Sequence, residues 1–153
     1  VPKSDAITVV CENRRARHEY EVQESVEAGL ALTGSEVKAL RGGHGNLSEA
    51  YVRFENGEAW LVDAHISPYA QAGRNNHEAK RARKLLLGKN EILRLAPRVS
   101  QKGLTAIPLR LYFKGPWAKV EVALARGKKL HDKRQSLKEA DDRREMERAL
   151  KSR

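Results

Sequence analysis

Apolar and polar residues alternate most plainly in Ala50-Tyr-Val-Arg-Phe-Glu-Asn-Gly-Glu-Ala-Trp-Leu-Val62. Asn56-Gly57 is the preferred pair for a two-residue hairpin turn, because both central positions need positive φ. That turn sets the register: Phe54 opposite Ala59 and Val52 opposite Leu61, all four facing the core. Tyr51, Arg53, Trp60 and Val62 form the other face. A second alternating run, Thr105 to Phe113, predicts a strand with Ile107, Leu109, Leu111 and Phe113 on one side. Pro108 cannot donate to a ladder, which predicts an edge or a bulge there. After Lys114-Gly-Pro116, Val120, Val122 and Leu124 alternate with Lys119 and Glu121. Near the start, His18, Tyr20 and Val22 alternate with Glu19, Glu21 and Gln23, and Leu30 and Leu32 follow a break at Ala28-Gly29.

Helical spacing is rarer. Ser35 to Arg41 predicts a short helix with Thr33 or Ser35 as N-cap, Val37 and Leu40 facing inward, and Gly42 as the stop. The run from about Asn76 to Leu95 contains Lys80-Arg-Ala-Arg-Lys84, read as a cationic helical stretch. Leu85 with Ile92, and Leu86 with Leu93, share faces at i, i+7, and Gly88 divides the run. Gly42 to Gly45 and Pro68 to Asn76 read as loops. Many short strands, an Asn-Gly hairpin and a few small helices predict a mainly β fold, with a closed barrel of oligonucleotide-binding (OB) type as the natural candidate.

From Gly127 onward the texture changes. No glycine or proline follows, but at about 100° per residue Leu137 and Leu150 point to nearly opposite sides. No apolar stripe docks this segment on the body. The expectation is therefore a body over residues 1–126 and a basic tail over 127–153, disordered or a frayed helix when free and helical when bound.

Charge sharpens the picture. The 153 residues hold 30 Lys plus Arg against 20 Asp plus Glu, a net charge of +10, and 33% are charged. A cationic surface gains affinity for phosphate polymers by releasing their counterions. No segment approaches the ~20 apolar residues that span a bilayer, and the first eleven residues lack a secretory h-region. The lone Cys11 leaves no intrachain disulfide and fits a reducing compartment. A cytoplasmic protein without a membrane partner, monomeric when free, is expected.

Catalysis finds no constellation. None of His18, His44, His65, His77 and His131 pairs with another at i, i+4. No His-Glu-x-x-His, Cys-x-x-Cys or nucleotide-binding glycine loop is present. No catalytic residue, metal or cofactor is expected. Three stretches suit RNA instead: Asn13-Arg-Arg-Ala-Arg-His-Glu-Tyr20, which joins guanidiniums to an imidazole and a phenol; Lys38 to Asn46, where a helix feeds a glycine loop; and Lys80 to Lys84. A ribosomal or generic single-strand binder remains an alternative, although aromatics make up only 5% of the chain. A ribonuclease using His18 or His131 would lack a partner group.

Together with Glu27-Ala-Gly-Leu-Ala-Leu32, Gly34-Ser-Glu-Val-Lys38, Asn46-Leu47, His65-Ile66, Asn76-His77, Arg83-Lys-Leu-Leu-Leu87, Lys119-Val-Glu121, Ala125-Arg-Gly-Lys-Lys129 and His131-Asp-Lys-Arg134, these stretches resemble the small protein B (SmpB) family, bacterial partners of transfer-messenger RNA (tmRNA). The resemblance runs in order from about residue 10 to the C-terminus. It implies a non-catalytic protein that grips the tRNA-like domain of tmRNA and delivers it to stalled ribosomes for trans-translation. The tail then probes the decoding centre and empty mRNA channel. By the same resemblance Asn13, Arg14, Arg17, His18, Glu27, Arg41, Asn46 and Lys119 lie on or support the tmRNA face, and Leu85, Leu86 and Leu87 hold that surface. Lys128, Lys129, His131, Asp132, Lys133 and Arg134 form the ribosome-binding tail. Gly88 and the proline of Lys114-Gly-Pro-Trp117 depart from the family pattern.

Overall fold

In the computed structural model of the chain, residues 6–128 and residue 144 are described. The first half runs β1 (Ile7–Glu12), α1 (Arg14–Glu19), β2 (Tyr20–Leu30), α2 (Gly34–Arg41), β3 (Gly45–Asn46), β4 (Tyr51–Glu55) and β5 (Glu58–Val62). Then come β6 (His65–Ile66), a 3₁₀ turn at Ala70–Asn75, β7 (Arg83–Leu86), α3 (Lys89–Lys102), β8 (Thr105–Lys114) and β9 (Trp117–Gly127). Seven strands form one antiparallel sheet in the order β1-β8-β9-β2-β7-β5-β4, and β3 pairs with β6 in a separate ladder.

The hairpin folds as its sequence demands. Asn56 and Gly57 take φ of 52° and 75°, and Val52 meets Leu61 and Phe54 meets Ala59 across β4–β5. Thr33 caps α2 through a full capping box: its hydroxyl accepts from the Glu36 N–H, while Glu36 accepts from the Thr33 N–H at 2.9 Å. Gly42 ends that helix. At the β8–β9 turn Gly115 has φ of 60°, and Lys114 still pairs with Trp117, so Pro116 costs the ladder nothing.

Five expectations need correction. The sheet is mixed with small helices but is not closed into a barrel: β1 and β4 are its edges. A cleft of about 670 Å³ is lined by β4, α3 and the start of β8, and β4 and β8 run close to one another without forming a ladder. His18 is not on a strand, because Asn13 nucleates α1 and the strand begins only at Tyr20. The Lys80–Lys84 run is not helical: Arg83 opens β7, and the helix starts past Gly88 and continues to Lys102. β2 passes unbroken through Gly29, where a Cβ would come within 3.1 Å of the Leu86 Cβ, so glycine permits close strand approach. Finally, Ile107, Leu109, Leu111 and Phe113 do not share a face. Leu109 is an extra residue between Pro108 and Arg110, and a one-residue insertion reverses every side chain beyond it. Leu111 and Phe113 therefore join the main core, and Ile107 and Leu109 join a small cluster with Ala16, Ala123 and Ala125 beneath α1.

The main core is built from Leu30, Leu40, Leu61, Leu85, Leu95, Phe113 and Val120 with their neighbours. Its strangest members are charged. Glu36 and Arg83 are both wholly buried. Arg83 donates Nε to Glu36, Nη1 to the Ala64 carbonyl at 2.8 Å and Nη2 to the Ala79 carbonyl at 3.0 Å. Arg81 adds a second guanidinium, with Nη2 at 2.6 Å from Glu36 Oε1. Burial alone would raise the Glu36 pKa, but the Arg81, Thr33 and Arg83 donors overcome it and hold the value down to about 2.

Candidate nucleic-acid interface

Asn13 organises the first basic cluster from inside the fold. It is only 3% exposed. Its Oδ1 accepts from the Ala16 N–H at 3.1 Å, capping α1, while Nδ2 donates to the Leu47 and Pro108 carbonyls at 3.1 and 2.9 Å. All its side-chain polar atoms are thus engaged within the protein, and it acts by positioning. With Ala16 turned inward, Arg14, Arg15, Arg17 and His18 are exposed on the helix. Arg15 is tied to Glu19 at 3.0 Å and Glu49 at 3.3 Å, which leaves Arg14 and Arg17 as its outward charges. Lys128 closes this end: its N–H donates to the Glu19 carbonyl at 2.8 Å and its Nζ to the Arg17 carbonyl at 3.2 Å. The other tail residues named from sequence, Lys129, His131, Asp132, Lys133 and Arg134, lie outside the described residues.

The second cluster lies on the outer face of the sheet. Ladder partners point to the same side of a pleated sheet, so register assigns this face. One row reads Val9, Tyr112, Lys119, Gly29, Leu86, and the next reads Glu12, Arg110, Glu121, Glu27. Lys119, Glu27 and Leu86 therefore share the face. Leu86 is 55% exposed, whereas Leu85 is buried and Leu87 packs partly against the core. Of the leucine triplet only Leu86 offers its side chain outward, and the other two hold the strand down. Trp117, the most exposed large apolar side chain described, sits on the same side at the β8–β9 turn.

Arg41 lies beside this turn. Its Nη2 donates to the Gly115 carbonyl at 3.3 Å, and its guanidinium covers the Phe113 ring, 3.8 Å from the centroid. Asn46 is exposed, and its Oδ1 accepts from the Ser48 N–H at 2.8 Å. The two clusters sit at opposite ends of β2. Seven residues separate Tyr20 from Glu27, about 23 Å of extended strand.

Sequence reasoning missed several residues. Tyr112, Arg110 and Lys114 belong to the outer face, and the polar alternation after Pro108 was the signal for them. Arg83 looked like one more solvated cation, and nothing in its neighbours marks it as buried. Of that run only Lys80 presents an unpaired charge outward, since Arg81 is committed to Glu36 and Lys84 pairs with Glu58 at 3.4 Å. His77 is also structural: its Nε2 donates to the Ile66 carbonyl at 2.9 Å, and Nδ1 accepts from the Ser35 hydroxyl at 2.8 Å. Among the described residues no group of three or more His, Cys, Asp and Glu side chains could hold a metal ion. No described helix is long and apolar enough to cross a membrane.

Comparison with known proteins shows the family. A family model described as "SmpB protein" matches residues 10–152. The chain belongs to the SmpB family. Among curated relatives, an SsrA-binding protein of Carboxydothermus hydrogenoformans is 53% identical over 145 residues, covering 95% of this chain and 97% of that protein. One from Roseiflexus castenholzii is 56% identical over 146 residues, covering 95% and 92%. A solved structure described as "tmRNA-SmpB: a journey to the center of the bacterial ribosome" superposes with a TM-score of 0.68 at 47% identity, covering 83% of this chain and 93% of its own. The SmpB match therefore embraces both basic clusters and the sheet between them.

Proposed function

We propose that this chain binds the tRNA-like domain of tmRNA and delivers it to stalled ribosomes for trans-translation, acting as an adaptor that performs no bond chemistry. The observation that carries this reading is the family match over residues 10–152, shared with relatives named SsrA-binding proteins. The geometry supports it. Arg14 and Arg17 at one end and Lys119 at the other suit a long, shaped RNA, because phosphate contacts supply affinity without reading sequence. Glu27, Lys119 and Leu86 form the tmRNA face, which Leu85 and Leu87 support from beneath and Asn13 supports by holding α1. Arg41 and Asn46 flank it. His18, exposed on α1 beside Arg14 and Arg17, belongs to the same tmRNA face. The tail, with Lys129, His131, Asp132, Lys133 and Arg134, probes the decoding centre and the empty mRNA channel.

A competition gel tests the reading. Unlabelled tRNA-like domain should displace the labelled domain from the protein at far lower concentration than an unrelated single strand of equal length. Equal competition would make this a generic single-strand binder, and shortening of the labelled RNA during incubation would make it a nuclease.

A further inference from the structure

Glu27 and Glu121 face each other directly across the β2–β9 ladder. Two like charges in that position repel, and β8 treats them differently. Arg110 donates Nε to Glu121 Oε2 at 2.7 Å, so Glu121 is neutralised by direct contact with a cation. Glu27 instead accepts a hydrogen bond from the Tyr112 hydroxyl, a neutral donor. Its cation, Lys114, keeps Nζ 3.8 Å from Oε1, beyond hydrogen-bond reach. Unlike Glu121, Glu27 accepts no hydrogen bond from a cation, so Tyr112 fixes its orientation while its remaining lone pairs stay available. Its side chain is 39% exposed, but Tyr112 is only 2% exposed and cannot itself touch a ligand on this face. The Tyr112 ring is further held by the Arg110 guanidinium, 4.7 Å from its centroid. Burial, and then the bond to Glu27, push the phenol well above its ordinary pKa, so it remains a proton donor.

An ionised carboxylate only accepts hydrogen bonds. Against phosphate it is repulsive, so on an RNA face it is useful only where it meets a donor. RNA offers N–H groups on base edges and the ribose 2′-hydroxyl. We infer that Glu27 accepts a hydrogen bond from such a donor and that Tyr112 is the positioning residue that fixes its carboxylate for this contact. The inference rests on the outer sheet face being the tmRNA face.

The test measures affinity of the full chain for the tRNA-like domain at several salt concentrations, for wild type, Tyr112→Phe, Glu27→Gln and the double variant. Tyr112→Phe keeps the ring and removes one hydrogen bond, so it should lower the thermal midpoint by only several degrees and leave the chain fully folded at the assay temperature. It should weaken binding about tenfold, the scale of one hydrogen bond to a charged group. The salt dependence should not change, because no phosphate contact is lost. In the E27Q background the same change should cost no more than about twofold, since its effect passes through the carboxylate. An equal loss in both backgrounds, or wild-type affinity for Tyr112→Phe while Glu27→Gln is impaired, overturns the positioning role. Wild-type affinity for Glu27→Gln overturns the placement of the RNA face itself. Pooled RNAs carrying single base-donor deletions or single 2′-deoxyriboses then separate the two donor sources. The position that matters to wild type and not to Glu27→Gln identifies a base edge or a ribose. If neither class contains such a position, the donor contact is refuted.

Discussion

Glu36 shows how one residue couples the core to pH. Its pKa of about 2 in the fold lies below its ordinary value of 4.5, so the folded state favours the ionised form. The stability gained is complete above pH 4.5 and is lost as pH falls towards 2. Two and a half units correspond to on the order of 3 kcal/mol. Urea titrations from pH 7 down to pH 2.5 should show this decline in wild type. Glu36→Gln should lose about 3–5 kcal/mol at pH 7, because Arg83 is left buried without its anion. A Glu36→Gln protein as stable as wild type at neutral pH would contradict the account. The pair was illegible in sequence: Glu36 drew no separate reading within the α2 stretch, and Arg83 read as a surface cation, which it is not. Only packing brings residues 47 apart in the chain together.

At the scale of elements, local signals worked where the decision was local. The Asn56-Gly57 turn and the Thr33 cap need only neighbouring residues, and both form as expected. Thr33→Ala should cost about 1 kcal/mol by thermal denaturation, leaving α2 in place because Ala39 and Leu40 remain buried. A change of several kcal/mol would mean that the cap supports more than α2. Local signals failed where two periodicities competed. His18 to Gln23 alternates like a strand, yet the Asn13 side chain caps a helix that runs on to Glu19, and its amide is fixed by carbonyls of Leu47 and Pro108. Arg83 to Leu86 carries helix-forming residues, but pairing with β5 and β2 overrides their propensity. At Pro108 a bulge was legible, but not its consequence for the face of Leu111 and Phe113.

At the scale of the molecule, RNA affinity and ribosome function should be separable. β9 runs to Gly127, and Lys128 holds α1 through Glu19 and Arg17. A cut after Arg126 would therefore also loosen the basic helix, and a cut after Lys128 is the cleaner probe. It should leave affinity for the tRNA-like domain within about twofold in a gel-shift assay, since the outer face is untouched, while abolishing peptide tagging on stalled ribosomes. Loss of most RNA affinity would show that the tail and body bind as one unit. Phosphate contacts should also make body binding salt-dependent, with a smaller slope once Arg14, Arg17 or Lys119 is removed.

The basic balance, the hairpin, the capped α2 and the ordered series of family motifs are properties of short stretches, and the sequence alone determined them. Tertiary structure decided the open sheet: β4 and β8 come close but form no ladder, which depends on how the two ends of the sheet meet and not on any short stretch. It also decided which charges are committed to the fold. Arg14, Arg81, Arg83 and Lys119 look alike in sequence. Pairing with Glu36 commits Arg81 and Arg83 to the fold, whereas Arg14 on α1 and the half-buried Lys119 on β9 carry no such pair and are the ones proposed for RNA.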